Sequence, residues 1–326
     1  MTVLFDLRRS ISKRKRSVIF SEQSDPRVRS AVRTLLDEGK VQPVCLHSPV
    51  ESIEGLIVFD EDPDKEVWLE KIRDLYTKRR ATRQIGKLEA EVEIAANDLL
   101  LAALLVNAGY VDAGISGSLA STAEVLRAGI RGIGLAESSN LVSSCFLMQF
   151  PNKTMTFGDC GVVPDPDENQ LAQIAIASAR SHQLLTGEEP KVGLLSYSTK
   201  GSASHARVDK VRAAVSIAQK LKPELKIDGE LQFDAAFLPE IGEIKAPGSM
   251  VAGQANVFIF PDLDAGNIAY KIAQWLAGAQ ALGPVIQGLA KPWLDLSRGC
   301  SVADIVEMSI IAAALVNNNE HKGLVS

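Results

Sequence analysis

Short apolar runs alternate with amphipathic segments along most of the chain. Residues 17–20, 41–46, 55–59 and 113–116 are compact apolar runs between turn residues and predict strands. Residues 25–38 place apolar side chains at helical spacing and stop at Gly39. Residues 66–80 predict a charged helix, and residues 89–108 a more apolar one ending at Gly109. A further helix opens at Thr122 and runs to 129. The texture then changes. Residues 144–150 and 154–157 predict paired strands, and 168–185 a long helix after the turn chemistry of Pro164-Asp165-Pro166-Asp167. Strands at 192–197 and 257–260 alternate with helices at 207–221, 267–276 and 301–316. This alternation predicts an α/β fold with mainly parallel sheets covered by helices on both sides. No short internal repeat or low-complexity stretch interrupts it.

At about 100–200 residues per domain, the 326 residues predict two domains. Hydrophobic residues at 46 % and charged residues at 23 % are enough for a sizeable core. The net charge of −5 argues against wholesale binding of nucleic acid, yet leaves room for a local basic pocket for a small anion. Cys45, Cys145, Cys160 and Cys300 form no C-x-x-C pair, and His47, His182, His205 and His321 are scattered. Neither a zinc site nor a disulfide framework is expected, and the thiols read as reduced ones of a cytoplasmic protein. Residues 1–16 are basic but lack an apolar core and cleavage site, so they read as a solvated first helix rather than a secretory signal. The longest apolar stretch, 99–106, falls far short of the ~20 residues that span a bilayer, so no membrane role is expected. The sequon Asn152-Lys153-Thr154 carries no weight without secretion.

Three loops join an apolar strand to a helix: Ser116 to Thr122, Ser196 to Ser202, and Pro261 to Asn267. Loops of this kind point backbone N–H groups at one spot, where the helix dipole adds positive character, so each is a candidate anion cradle. The same Ser and Gly residues also serve simply to cap helices, as the S-x-x-E spacing of Ser121 and Glu124 shows. Lys200-Gly201 has the wrong order and spacing for a Walker motif, and Gly129 to Gly134 is not G-x-G-x-x-G. Nucleotide hydrolysis and dinucleotide binding are therefore not indicated.

The most informative stretch runs from Lys291 to Asp304 and gathers a hydroxyl, a guanidinium, a glycine and a helix-opening serine. Spacing alone allows a structural account, in which Ser301 caps a helix, Asp304 complements its dipole, Arg298 is surface and Cys300 fills core. The run Leu296-Ser297-Arg298-Gly299-Cys300-Ser301, with Asp304, resembles the catalytic signature of the phosphate acetyl/butyryltransferase family, on its phosphate acetyltransferase side. Residues 20–22 with 27–28, 198–203, 208–211, 228–236, 252–263, 264–268 and 283–289 resemble the same family in order along the chain. Residues 76–98 follow the pattern loosely, and Ser204 to Arg207 depart from the commoner residues.

The resemblance implies transfer of acetyl between acetyl phosphate and coenzyme A by direct attack of the thiolate, with coenzyme A as substrate and no bound cofactor or metal. It assigns Asp304 as base for the thiol, Ser297 as donor to the oxyanion, and Arg298 as holder of the phosphate. Arg127 and Arg79 match family arginines associated with coenzyme A. Ser116, Ser118, Ser121 and Thr122, and Ser198, Lys200 and Ser202, are expected as helpers on the substrate side. A thiol of pKa ~8.5 is hard for a carboxylate to deprotonate, so a partly desolvated site or a nearby Arg298 is needed. Cys300 invites a rival course through an acetyl-enzyme thioester. The implied fold has a first α/β domain of residues 1–137 with 285–326 and a second of 138–284. The site is expected in a cleft between them, in a homodimer without nucleic-acid or membrane partners. Rival readings are a butyryltransferase-like enzyme, a ligand-sensing module, and a dehydrogenase of the isocitrate type, for which no aspartate cluster is seen.

Overall fold

The computed structural model describes residues 7–9, 11, 15–81 and 85–320. Most of residues 1–14, with most of the basic opening segment, and His321 lie outside them. The described residues divide into two compact units, one up to Ser138 and again from Leu289, the other Ser139–Gly288.

The first unit is built on five parallel strands: β1 (Arg16–Phe20), β2 (Val41–Cys45), β3 (Ile57–Val58), β4 (Ala113–Ser116) and β11 (Trp293–Asp295). Their order is β11-β4-β1-β2-β3. The chain thus leaves β1 in one direction and returns on its other side with β4, which makes β1/β4 the switch point of the sheet. Ligands of open α/β sheets collect at the carboxyl ends of strands flanking such a point. Helices α1 (Pro26–Glu38), α2 (Lys65–Arg79), α3 (Lys87–Ala95), α4 (Asp98–Ala108) and α5 (Thr122–Gly132) connect the strands, and α11 (Val302–Glu320) follows β11. Helix α1 starts where expected because Asp25 accepts from the Arg27 N–H and Pro26 opens the first turn. It ends at Gly39, whose φ of 64° favours glycine. Trp293 anchors this unit. It is fully buried, donates from Nε1 to the Val125 carbonyl at 3.0 Å, and lies where a Cβ on Gly114 would come within 2.5 Å of its ring. Truncating an indole in such a place typically costs about 3–5 kcal/mol.

The second unit carries a six-stranded sheet in the order β10-β5-β6-β9-β7-β8. Here β5 (Ser143–Phe150) pairs antiparallel with β6 (Lys153–Gly158) and with β10 (Gln280–Gln287). By contrast β6, β9 (Val257–Ile259), β7 (Lys191–Leu195) and β8 (Lys226–Leu231) run parallel. The fold class is therefore α/β with mainly parallel sheets, and a mixed sheet in this unit. Its helices are α6 (Glu168–Thr186), α7 (Ala206–Leu221), α8 (Phe233–Phe237), α9 (Pro239–Lys245) and α10 (Leu263–Leu276). No helix among the described residues is long and apolar enough to cross a membrane.

The predicted single helix at 89–108 is two helices. Asn97 takes an extended backbone and accepts from the Leu100 N–H, so it caps α4 and breaks the run after Ala95. Apolar periodicity continued across the break and masked it. The helix expected from Asn267 begins four residues earlier, because Asp262 caps it through the Ala265 N–H at 2.9 Å. Strands β8, β10 and β11 were not anticipated, since each is short or mixes polar residues into its run.

Candidate active site

The stretch Ser297–Asp304 sits where β11 ends beside β4. The Leu296 N–H donates to the Ser116 carbonyl at 2.8 Å, extending the strand pairing by one residue. The chain then turns sharply. The Cys300 N–H closes the turn onto the Ser297 carbonyl at 2.8 Å, and the Gly299 N–H reaches Ser297 Oγ at 3.2 Å. Ser297, Arg298 and Gly299 are exposed, while Cys300 is buried beneath them. Ser301 then caps α11. Its N–H and hydroxyl donate to Asp304 Oδ2 at 2.8 and 2.9 Å, and the Asp304 N–H returns to Ser301 Oγ at 3.2 Å. The capping function anticipated for Asp304 is thus present, and it uses one carboxylate oxygen. Oδ1 accepts no hydrogen bond from any described residue.

Cys300 is poorly suited to be a nucleophile. Burial pushes its thiol above the ordinary cysteine value, and nearby Asp304 and Asp25 add to this against the opposing charge of Arg27. A thiol held protonated attacks slowly, which weighs against the thioester course.

The Ser116–Thr122 loop does not present vacant donors. Glu22, just past the end of β1, places its carboxylate inside the loop. Oε2 accepts the N–H groups of Gly117 and Ser118 at 2.6 and 2.8 Å and the Ser118 hydroxyl at 3.1 Å. Oε1 accepts those of Leu119 and Ala120 at 3.0 and 2.7 Å. The switch point does bind an anion, and the anion belongs to the protein. Gly117 permits this at φ 107°, where an added Cβ would lie 2.2 Å from Asp295 Oδ1. Ser116 is buried and shares a hydrogen bond with the Ser21 hydroxyl at 2.6 Å. Ser121 caps α5 in a complete capping box with Glu124. Thr122 donates to Asp295 Oδ2 at 2.6 Å. Burial raises the Asp295 carboxyl to about 6, and its Oδ1 has no partner among the described residues.

The loop in the second unit repeats this economy. Ser198 donates to Glu230 Oε1 at 2.7 Å, as does the Gly201 N–H at 2.9 Å, and the Lys200 N–H reaches the Glu230 carbonyl at 3.2 Å. Ser202 Oγ accepts from the Thr199 N–H at 3.0 Å, and Ser198 Oγ from the Ala203 N–H at 3.1 Å. Arg212 pairs with Glu230, and Lys200 Nζ with Asp228. Before α6, Asp159 likewise accepts from the N–H groups of Gly161, Val162 and Val163. In the Ser116–Thr122 and Ser196–Ser202 loops, of the two readings open from the sequence, the structural one fits: carboxylates, hydroxyls and carbonyls of the same unit take up their backbone donors.

Arg127 and Arg298 are both exposed in the first unit. Both bear on Glu124, whose carboxyl is held below its usual range first by the Ser121 hydroxyl and backbone, then by the charges of Arg127 and Arg298. Two cationic side chains thus act on Glu124 at the start of α5. Arg79 lies elsewhere on the unit. Its Nη1 packs where a Cβ on Gly134, past the end of α5, would be only 1.8 Å away. Among the described residues, no group of three or more His, Cys, Asp or Glu is arranged to hold a metal ion.

Sequence reasoning passed over Glu22, Asp25, Arg27, Glu230 and Asp295. Glu22, Glu230 and Asp295 are charges at or just beyond a strand end, a position that could have drawn attention to them, while Asp25 and Arg27 stand at the start of α1.

Residues 3–313 match the family described as phosphate acetyl/butaryl transferase. A phosphate acetyltransferase of Thermoanaerobacterium thermosaccharolyticum is 41 % identical over 320 residues, covering 94 % of this chain and 97 % of that one. One from Paracoccus denitrificans is 42 % identical over 304 residues, covering 91 % and 94 %. Among solved structures, a phosphotransacetylase from Streptococcus pyogenes superposes with a TM-score of 0.89 at 37 % identity, covering 97 % of this chain and 98 % of that one.

Proposed function

The chain belongs to the phosphate acetyl/butaryl transferase family, and from that premise we propose that it moves an acetyl group reversibly between acetyl phosphate and coenzyme A. The observation that carries this reading is the Ser297–Asp304 stretch, with an exposed hydroxyl and guanidinium and a carboxylate that keeps one oxygen open. The coenzyme A thiol gives its proton to Asp304, and the sulfur lone pair forms the bond to the acetyl carbon. The carbonyl electrons move to oxygen, where Ser297 donates a hydrogen bond. Collapse of that oxyanion breaks the bond to the phosphate oxygen, and phosphate leaves with its charge held by Arg298. Arg127 takes part of the coenzyme A, and Arg79 a more distant part of it. Coenzyme A is substrate throughout, and no bound cofactor enters.

For the loops, we assign Ser116, Ser118, Ser121 and Thr122 of the first unit, and Ser198 and Ser202 of the second, to the substrate side as binding helpers. Lys200, whose side chain is 40 % exposed and pairs with Asp228, is assigned to the substrate side with them. Acetyl is preferred to butyryl because the run Ser297-Arg298-Gly299-Cys300-Ser301 is intact. A cytoplasmic homodimer is part of the same reading. Its support is the stripe Ile268, Ile272, Trp275 and Leu276 on α10, each more than half exposed and spaced to share one helix face. Sedimentation of the purified protein tests the dimer.

The activity test is direct. Purified protein mixed with acetyl phosphate and coenzyme A should raise the ultraviolet absorbance of a thioester, before and after chelator treatment. No thioester formed from acetyl phosphate and coenzyme A, and none consumed from acetyl-CoA and phosphate, would reject the reading, and activity lost on chelation and restored by one divalent ion would reject its metal-free chemistry. Faster turnover with butyryl phosphate would move it to the longer acyl group.

A further inference from the structure

We infer that Arg27 is a positioning residue that sets the shape of the Ser297–Cys300 turn, and that its guanidinium is fully committed to this task. The inference rests on the reading of that turn as the catalytic one. Arg27 lies in the first turn of α1, just past the end of β1. Its Nη1 donates to the carbonyl of Arg298 at 2.8 Å and to that of Cys300 at 2.9 Å. Its Nη2 donates to the carbonyl of Ser118 at 2.9 Å and to Asp25 Oδ2 at 2.7 Å. Nε lies 3.2 Å from both oxygens of Asp25.

A guanidinium has five N–H groups in a fixed planar fork. Here Nε–H faces the Asp25 carboxylate, and the four Nη–H groups meet four separate acceptors. None is left to grip a substrate phosphate without giving up a bond to the protein. The planarity matters as much as the count. The acceptors on Arg298 and Cys300 bracket the exposed Gly299, so one rigid group fixes the carbonyls on both sides of the tip of the turn. The third carbonyl belongs to the loop filled by Glu22. Arg27 therefore ties the end of β11 to the loop after β4 from a helix that starts after β1. Asp25 is the counterweight. It is 2 % exposed and receives the Arg27 backbone N–H at 2.8 Å as well as the side chain, so it fixes the fork from behind.

Lysine cannot reproduce the arrangement, because an ammonium on a flexible stem has three donors and no plane. Loosening the turn would move the Ser297 hydroxyl and the Arg298 head relative to the reacting atoms, and displacements near 1 Å cost on the order of 10²-fold in rate.

The test compares Arg27→Lys, Arg27→Gln and Arg27→Ala with wild type in full kinetics for both substrates. Melting is measured on each, and guanidinium chloride at low, non-denaturing concentration is added to Arg27→Ala. A positioning role predicts kcat reduced on the order of 10–10²-fold in all three. KM values for coenzyme A and acetyl phosphate should stay within about threefold, and free guanidinium should restore part of the Arg27→Ala turnover. A rise in KM for coenzyme A with kcat retained would instead make Arg27 a substrate ligand and overturn the inference. So would unchanged kcat in Arg27→Lys, the variant expected to keep its fold best. Wild type without thioester-forming activity would reject the proposed function itself, and the inference with it. An active wild type with kinetically normal Arg27 variants would reject the inference alone.

Discussion

Glu22 offers the most direct check that the strand-end loop is an anion site occupied by the protein's own carboxylate. In Glu22→Gln the shape is kept, but one oxygen becomes an NH₂ group. If the remaining oxygen stays at the Oε2 position, it keeps the N–H groups of Gly117 and Ser118 and the Ser118 hydroxyl. The NH₂ group then faces the N–H groups of Leu119 and Ala120, donor against donor. Two N–H groups lose their acceptor, at about 1–3 kcal/mol each, so the variant should be destabilised by about 2–6 kcal/mol. That is a large share of the ~5–15 kcal/mol that holds a typical domain. Glu22→Ala should also be destabilised, but it leaves room for a small carboxylate to enter. Formate at ten times its Kd should then return about 1.4 kcal/mol, a rise in melting temperature on the order of 3–5 °C. Chloride at equal ionic strength serves as the control. The assay is thermal unfolding of wild type and both variants with and without formate. A Glu22→Gln variant within 1 kcal/mol of wild type (an estimate bounded by the hydrogen-bond cost) would refute the reasoning. So would a Glu22→Ala variant indifferent to formate.

Arg298→Ala should lower kcat/KM on the order of 10²-fold or more through lost phosphate stabilisation, with Arg298→Lys recovering only part, as steady-state kinetics will show. Asp304→Asn keeps an oxygen to accept from Ser301, so melting should shift by about 1 kcal/mol or less. Its turnover should nonetheless fall on the order of 10²–10⁴-fold and recover partly at higher pH as more coenzyme A becomes thiolate. A stable variant active at all pH values would leave Asp304 as a cap only. His47 lies between Asp60 and Asp98, at 2.6 and 3.2 Å. Burial lowers its pKa, but these two carboxylates outweigh it and hold it above the ordinary histidine value. Its contribution is therefore present below the unfolded-state value and lost as pH rises through the folded one. Melting of His47→Asn against wild type should differ most at acidic pH and converge at alkaline pH, by less than about 1 kcal/mol for so exposed a pair.

The residue pattern by itself determined the α/β class, because apolar periodicity is a local property set by which face each residue must bury. It also determined the starts of α1, α5 and α6, since a cap involves residues only a few positions apart. The resemblance carried by residues 296–304 brought attention to Ser297, Arg298 and Asp304. Local pattern did not reveal that α4 starts afresh at Asn97, because helical apolar spacing continues across the break. It also did not reveal who fills the anion loops. Free N–H groups are visible in a strand–Gly/Ser–helix motif, but their acceptors are not: Glu22 comes from 95 to 98 residues away and Glu230 from 29. Arg27 reaches the turn across 271 residues of chain. In the first unit the order β11-β4-β1 sets Glu22 beside the Ser116–Thr122 loop and Arg27 beside the Ser297–Cys300 turn, and in the second the pairing of β7 with β8 brings Glu230 to the Ser198–Ser202 loop. The physical reason is that a buried polar group must be satisfied by whatever the fold brings near, and nearness across a parallel sheet is decided by topology and not by distance along the chain.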